Sequence, residues 1–523
     1  MRIRYSNAVL WRGLDDEPKC TDFDVVDGLF AVSQPDQLPD YVVDLHDHFV
    51  MPSFRDGHAH PLFAGREHRG PDVTYAKSLV EIQSIVKAYA AQNSEISWID
   101  GAAYDRSIEA RFTRTELDEA IADRPLILHG ADHHTLWLNT RALELCGLMN
   151  TVPDLSVGSI DVDSQGKPTG ILREWEAMQI ALNCLPALTM AQELECLAWA
   201  QDQLIRLGVT EVQDAWIDPG MTEIYLEALN QNQLQIAVSL AFRADPKSWR
   251  TDFNYFESVL AEVQSRGDER LTVNAIKFFV DGVLGSSTAS VIEPYVAGPN
   301  IHGHGEQVWD FAEIVEAATA ANRMGLQLHL HAIGDLAVRT ALDIIERVNP
   351  DFEAVIAHTE LISDSDLIRF STLNVTANLE PLWAREDGQL MSCVEQVGRK
   401  RIDSMYRMRD LLNAQARLSF GSDWPVSSPD PMLGVATAVN RSLPGQSSWT
   451  KAQALTAREA IIAYTARVAQ QLSNSTRDGV LTQGQPADFV VLSDNPLTAS
   501  DKSLFGIKVL GTSISDRRPL LGF

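Results

Sequence analysis

Two periodicities organise the apolar positions of this chain. Segments with apolar residues at helical spacing occur at 79–93, 189–207, 221–230, 310–324 and 336–348. Between them lie short apolar runs that read as buried strands, at 125–129, 210–213, 236–241, 273–279, 326–330, 354–357, 374–377 and 418–420. Many are continuous rather than alternating, as parallel strands covered on both faces require. Repeated strand–helix units predict a barrel or a large doubly wound sheet. No G-x-G-x-x-G fingerprint supports a dinucleotide site.

The two ends follow a different pattern. Short apolar runs at 8–11, 29–32 and 41–45 are separated by turn residues, and 487–492 and 506–510 read the same way. A small β domain built from both ends is expected. The stretch from about residue 67 to 194 is long for one barrel connection, so an inserted subdomain is expected there.

Composition narrows the class. With 523 residues, 45% hydrophobic and 22% charged, the chain has room for a barrel and accessory structure. Seventy-one acidic and 43 basic side chains give a net charge of -28, which repels nucleic acid and anionic membranes. Five scattered cysteines without a C-x-x-C pair imply neither a disulfide framework nor a cysteine zinc site. The N-terminus lacks the apolar stretch of a signal peptide, and no run suits a membrane span. A cytoplasmic protein is the expectation, with a symmetric homodimer as the default assembly.

The candidate chemistry sits where apolar runs end. His58 and His60 are two apart, so a strand aims both imidazoles to one side. The pattern is weak alone, because His46/His48, His302/His304 and His329/His331 share it. His331, His358 and Asp423 strengthen it, each following another apolar run. Polar groups after successive strands converge at the carboxyl face of a barrel.

The ordered segments PSFRDGHAH, RPLILHGADHHTLWLNTRAL, GKPTGILRE, LGVTEVQD, IKFFVDGVLGSSTA, LHLHAIGD, IAHTE, SFGSDWPV and GVLTQGQPADFVVL span nearly the whole chain. Together they resemble the amidohydrolase superfamily, and within it the YtcJ-like branch, amidohydrolase family 3, which includes N-substituted formamide deformylases. The resemblance implies a (β/α)₈ TIM-barrel metallohydrolase (residues 56–474) with an insert within 67–194. It also implies a small β-sandwich formed by residues 1–55 and 475–523.

Carried over residue by residue, His58 and His60 are implied as first-strand ligands, His331 and His358 as fifth- and sixth-strand ligands, and Asp423 as the eighth-strand ligand and proton acceptor. Lys277 matches the position of a carboxylated, metal-bridging lysine. The implied cofactor is one or two zinc ions, or another divalent metal. His134 matches a histidine of the substrate or metal region, and Asp132 is placed to orient a neighbouring imidazole. The alternative for Lys277 is a stem packed against Phe278 or paired to Asp281, and His329 shares a strand face with His331. Trp98, Trp383 and Trp424 are aromatic pocket candidates, Trp424 foremost. Ser287 stands where many relatives carry arginine, which weakens transfer of substrate identity. Ser53 and Arg55 also depart from the family pattern.

These residues predict a hydrolase that cleaves a non-peptide C–N bond of a small amide-like molecule. An ester, lactone or carbamate hydrolase using the same site is the alternative, and a non-catalytic barrel that binds or scaffolds is the other.

Overall fold

The computed structural model describes residues 1–515 apart from 35, 106, 107, 109–111, 156, 157 and 474–476. The expected domain boundary at 475 and residues 516–523 lie outside the described residues. Eight parallel strands form the central sheet: β1 (Phe54–Ala59), β2 (Val209–Ile217), β3 (Ala237–Arg243), β4 (Leu271–Phe279), β5 (Gln327–Ala332), β6 (Ala354–His358), β7 (Val375–Leu379) and β8 (Arg417–Phe420). Each pairs with the next in chain order. The ring closes just past its carboxyl ends. There Asp423 N–H donates to His58 C=O and His60 N–H donates to Trp424 C=O, both at 2.7 Å. Gly421 permits this approach, since a Cβ there would lie 2.7–2.9 Å from His58 atoms.

Helices cover the ring. Asp335–Val348 illustrates why they form: its buried face carries Ala337, Val338, Ala341, Leu342, Ile344 and Ile345 at helical spacing. It ends at Asn349, whose φ of 48° suits a left-handed cap. Met190–Arg206 starts in a capping box between Thr189 and Gln192. No helix among the described residues is long and apolar enough to cross a membrane.

A second, seven-stranded sheet joins the two chain ends. Phe489–Leu492 lies antiparallel to Phe49–Pro52, which continues into β1. Tyr5, Phe23 and Phe489 pack ring to ring in its core. The third sheet is the insert between β1 and β2, with five strands from Ile99–Tyr104 to Pro168–Arg173. The apolar run at 125–129 belongs to this sheet, as Leu126–Gly130, and not to the barrel. A run buried on both faces does not by itself reveal which sheet buries it.

The departures at Ser53 and Arg55 are matched across the β1–β2 seam. Arg55 Nε donates to Glu211 at 2.6 Å, with both side chains buried, and Ser53 Oγ lies 2.6 Å from Thr210 Oγ1.

The floor of the barrel is polar. Gln471, from the helix Ala466–Gln471, enters between the strands. Its Nε2 donates to Gly57 C=O at 2.7 Å and to Gln213 Oε1 at 2.8 Å. Its Oε1 accepts from Ser419 Oγ at 2.5 Å and Asn378 Nδ2 at 3.2 Å, and its C=O accepts from Gln327. The side-chain amide thus ties β1, β2, β7 and β8 together, and the backbone carbonyl adds β5, in a low-dielectric interior where leaving any partner unpaired is costly. Gln471→Ala is expected to destabilise the fold by about 2–4 kcal/mol in urea unfolding. A loss within about 0.5 kcal/mol, the usual surface value, would show that the floor does not depend on this side chain.

Candidate metal centre

Three side chains converge at the closed end of the ring. His58 and His60 extend from β1, and Asp423 follows β8. One donor atom from each lies within 4.8 Å of the others, and all three residues are buried. Asp423 Oδ1 is 2.9 Å from His60 Nε2 and 3.5 Å from His58 Nε2. These residues form a metal-binding site. Burial alone would raise the Asp423 carboxyl, but its His60 hydrogen bond and the charges of His60, His358 and Lys277 hold it below the usual range. It is therefore ionised at neutral pH. Burial, with Lys277 next, drives His58 well below its ordinary value, so its ring stays neutral and able to donate a lone pair.

Neighbouring groups fix each ring. His329 Nε2 lies 3.0 Å from His58 Nδ1, which leaves His58 Nε2 facing Asp423 and Lys277. His329 thus supports His58 from behind. His60 Nδ1 has no hydrogen-bond partner and lies 3.7 Å from Asp214 Oδ1, at the end of β2. Asp214 is itself held by Tyr225 Oη at 2.5 Å. Asp56 accepts the His58 N–H at 3.1 Å, the Ser422 N–H at 3.0 Å and the Ser422 hydroxyl at 2.5 Å. It clamps the ends of β1 and β8 against each other. Burial pushes its carboxyl up to about 7.

Lys277 rises from β4, fully buried, with Nζ 3.0 Å from His58 Nε2. Burial lowers its amine to about 7, against the pull of Asp423 and Glu380. His331 and His358 stand beside this cluster with ring centroids 4.6 Å apart, and His358 is 4.8 Å from His58. His331 Nε2 donates to Gly282 C=O at 3.1 Å, which leaves Nδ1 as its basic nitrogen. His358 Nδ1 lies 3.0 Å from Glu380 Oε2, which leaves Nε2 as its donor. Asp281 does not reach for Lys277 in its hydrogen bonds. It accepts the backbone N–H groups of Ser290, Ile333 and Gly334 and stands 3.7 Å from His331. His358, Thr359 and Asp423 all adopt left-handed backbone, with φ of 73°, 42° and 53°. Such geometry costs energy for non-glycine residues and persists where surrounding structure enforces it.

His134 reaches the cavity from the insert, its ring 6.3 Å from that of His331. Its Nδ1 lies 2.7 Å from Glu174 Oε2, and Thr288 donates to Glu174 Oε1 at 2.6 Å. Burial disfavours the imidazolium, but Glu174 outweighs it and raises His134 to about 9. Asp132 holds the backbone N–H of His134, at 3.1 Å, while Glu174 holds its ring.

Two further expectations resolve differently. Trp424 packs 5.7 Å from Trp199 and does not line the cavity; Trp383 does, stacked on His358 at 5.5 Å. The chain turn that sends Trp424 C=O to His60 N–H carries its side chain away. Trp98 packs in the apolar core of the insert. Ser287 is fully buried, its hydroxyl bonded to Gln396.

The cavity over the centre measures about 550 Å³. The donor set suits a divalent transition ion: the buried neutral imidazole of His58, the ionised carboxylate of Asp423 and the buried His60 imidazole bonded to it.

Residues 41–518 match the family model described as "Amidohydrolase family". Among curated relatives, Protein LONG AFTER FAR-RED 3 of Arabidopsis thaliana is 28% identical over 91% of this chain and 83% of its own. Putative amidohydrolase YtcJ of Bacillus subtilis (strain 168) is 25% identical, covering 90% and 89%. N-substituted formamide deformylase of Arthrobacter pascens is 24% identical, covering 90% and 88%. The crystal structure of an uncharacterized metal-dependent hydrolase from Pyrococcus horikoshii OT3 superposes with a TM-score of 0.76 at 26% identity, covering 96% and 99%.

Two predictions follow from the geometry. A His58→Ala/His60→Ala double variant is expected to lose tightly bound metal, read by elemental analysis against wild type; equal metal content in both would remove these residues as ligands. The His134–Glu174 pair sets a pH dependence. Because the folded-state value of His134, about 9, lies above the ordinary 6.5, its stabilisation is full below about pH 6.5 and fades as pH rises through 9. The stability gap between wild type and His134→Gln should therefore narrow over that range in denaturant titrations. A gap that widens with pH contradicts a protonated His134.

Proposed function

The chain belongs to the amidohydrolase family, and from that premise we propose that it hydrolyses an amide-type C–N bond of a small molecule. It is a metal-dependent hydrolase. The observation that carries the reading is the convergence of His58, His60 and Asp423 beneath a cavity.

His58, His60, His331, His358 and Asp423 would hold the metal, zinc being the ion that best suits imidazole and carboxylate donors. Bound there, a divalent ion acidifies water and polarises a carbonyl. Asp423 accepts the proton of the attacking water and returns it to the departing nitrogen, the role its ionised state and its place between the two β1 histidines suit. His134, cationic and anchored by Glu174, faces the cavity from the insert. From there it donates a hydrogen bond to the substrate carbonyl as negative charge develops.

Lys277 supports a two-ion version of the centre. An ammonium has no lone pair for a metal, but burial leaves much of this amine neutral near pH 7. A neutral amine adds carbon dioxide, with loss of one proton, to give a carbamate, which would add oxygen donors to the set. The relatives' names support the bond type: one is an N-substituted formamide deformylase and another a putative amidohydrolase.

Metal-loaded enzyme tested on matched amide and ester pairs should cleave the amides. Asp423→Asn should lower kcat/KM by roughly 10²–10⁴-fold, with metal content measured alongside. Turnover confined to the esters would sink the C–N reading.

A further inference from the structure

One wall of the cavity is aromatic from the metal centre outward. Trp216 stands 6.2 Å from His60, and Phe279 stands 4.9 Å from His331. Trp216 meets Phe279 at 4.8 Å and Trp175 at 4.6 Å, centroid to centroid. Beyond Trp175, the same helix of the insert (Glu174–Leu182) adds Met178 and Leu182 to the cavity lining.

Arg243, at the end of β3, braces this wall. Its guanidinium lies 5.5 Å from the Trp175 ring and 5.3 Å from the Trp216 ring. Asp218 and Asp245 anchor it at 2.6 and 2.9 Å, and Asp218 also accepts the Trp216 Nε1–H at 3.0 Å. The bracing fixes both indoles, so a ligand ring docks without first ordering them.

The polar lining of the cavity is internally paired. His129, His133 and His134 lie 3.0, 2.8 and 2.7 Å from Asp100, Glu67 and Glu174. Arg66 makes two bonds to Glu193, at 2.9 and 2.8 Å. Lys277 lies at the floor, engaged with His58. Arg66, His129, His133 and His134 therefore each already face a carboxylate. A substrate carboxylate seated beyond the metal centre would have to displace one of these partners or stay unpaired, and both are costly.

We propose that the substrate is an uncharged amide bearing an aromatic substituent, seated against Trp175, Trp216 and Phe279, with Arg243 as the positioning residue of that seat. The proposal rests on the amide-hydrolase reading for its reacting bond. The seat and the charge selectivity rest on the walls alone.

The test uses full-length, metal-loaded enzyme and three probes: N-phenethylacetamide, N-acetylphenylalanine (the same skeleton plus a carboxylate) and N-methylacetamide, which lacks the ring. Binding is read by calorimetry, and hydrolysis by initial rates. N-Phenethylacetamide should bind about 10-fold or more tightly than N-acetylphenylalanine, by the cost of an unpaired buried charge. It should exceed N-methylacetamide by at least about 10-fold, by apolar burial. Trp175→Ala should weaken N-phenethylacetamide by about 10-fold, and Trp175→Phe should recover most of that loss. Arg243→Met should raise KM more than it lowers kcat.

Equal or tighter binding of N-acetylphenylalanine overturns the charge selectivity, and equal binding of N-methylacetamide overturns the aromatic seat. Arg243→Met lowering kcat alone removes Arg243 from its role. Selective binding of N-phenethylacetamide without amide turnover, together with cleavage of the matched phenethyl ester, supports the seat and defeats the amide reading instead.

Discussion

The seam between β1 and β8 is the constraint on which the centre depends. Two strand ends, 363 residues apart at His60 and Asp423, are joined by two backbone hydrogen bonds and by the Asp56 carboxylate. This closure brings the carboxylate of one end to the imidazoles of the other. Gly421 is required because the strands meet too closely for a side chain. Arg55 and Glu211 then lock β1 to β2, which carries Asp214 to the far side of His60. Metal ligation is thus a by-product of how the ring closes, and a change at the seam acts on the ligands without touching them.

Below the ligands the interior is unusual for a barrel, whose core is commonly built from branched apolar layers. Here a buried amide network ends on Gln471, and above it stand ionisable groups in a low-dielectric environment. Burial raises Asp56, Asp281 and Glu360 and lowers Lys277, His58 and His331. Together with left-handed φ at His358 and Asp423, this is an arrangement that costs stability. A bound cation offsets part of that cost, since metal affinity for the folded form is also folding free energy.

Much of this was legible in the chain. Barrel strands β2 to β8 were visible because parallel strands are apolar on both faces; His331, His358 and Asp423 could be singled out because each follows such a run, and His58 and His60 by their two-residue spacing. Their supports were less so. Glu380, Glu174 and Asp214 come from separate strands or the insert, and nothing in local spacing ties Glu380 to His358 or Glu174 to His134. Glu174 did lie within the GKPTGILRE segment, so a signal existed without a partner to give it meaning. Trp424 shows the converse error: proximity in sequence to Asp423 suggested a pocket role, but the backbone turn faces the ring toward Trp199. The aromatic wall was invisible because Trp175, Trp216 and Phe279 come from three distant segments.

Gln471 also has a bearing on time. The floor that seats β1 is supplied by a residue 414 positions after Gly57, which it caps. During synthesis the first strand therefore emerges long before the groups that hold it in place, and pairings of such separation form late and slowly. The ligand cluster shares this lag, because Asp423 and the floor residue both belong to the last part of the barrel to appear. An ion cannot be captured in its final coordination by the nascent amino-terminal half. Loading consequently waits until Asp423 has been made, and His60 precedes its carboxylate partner by 363 residues.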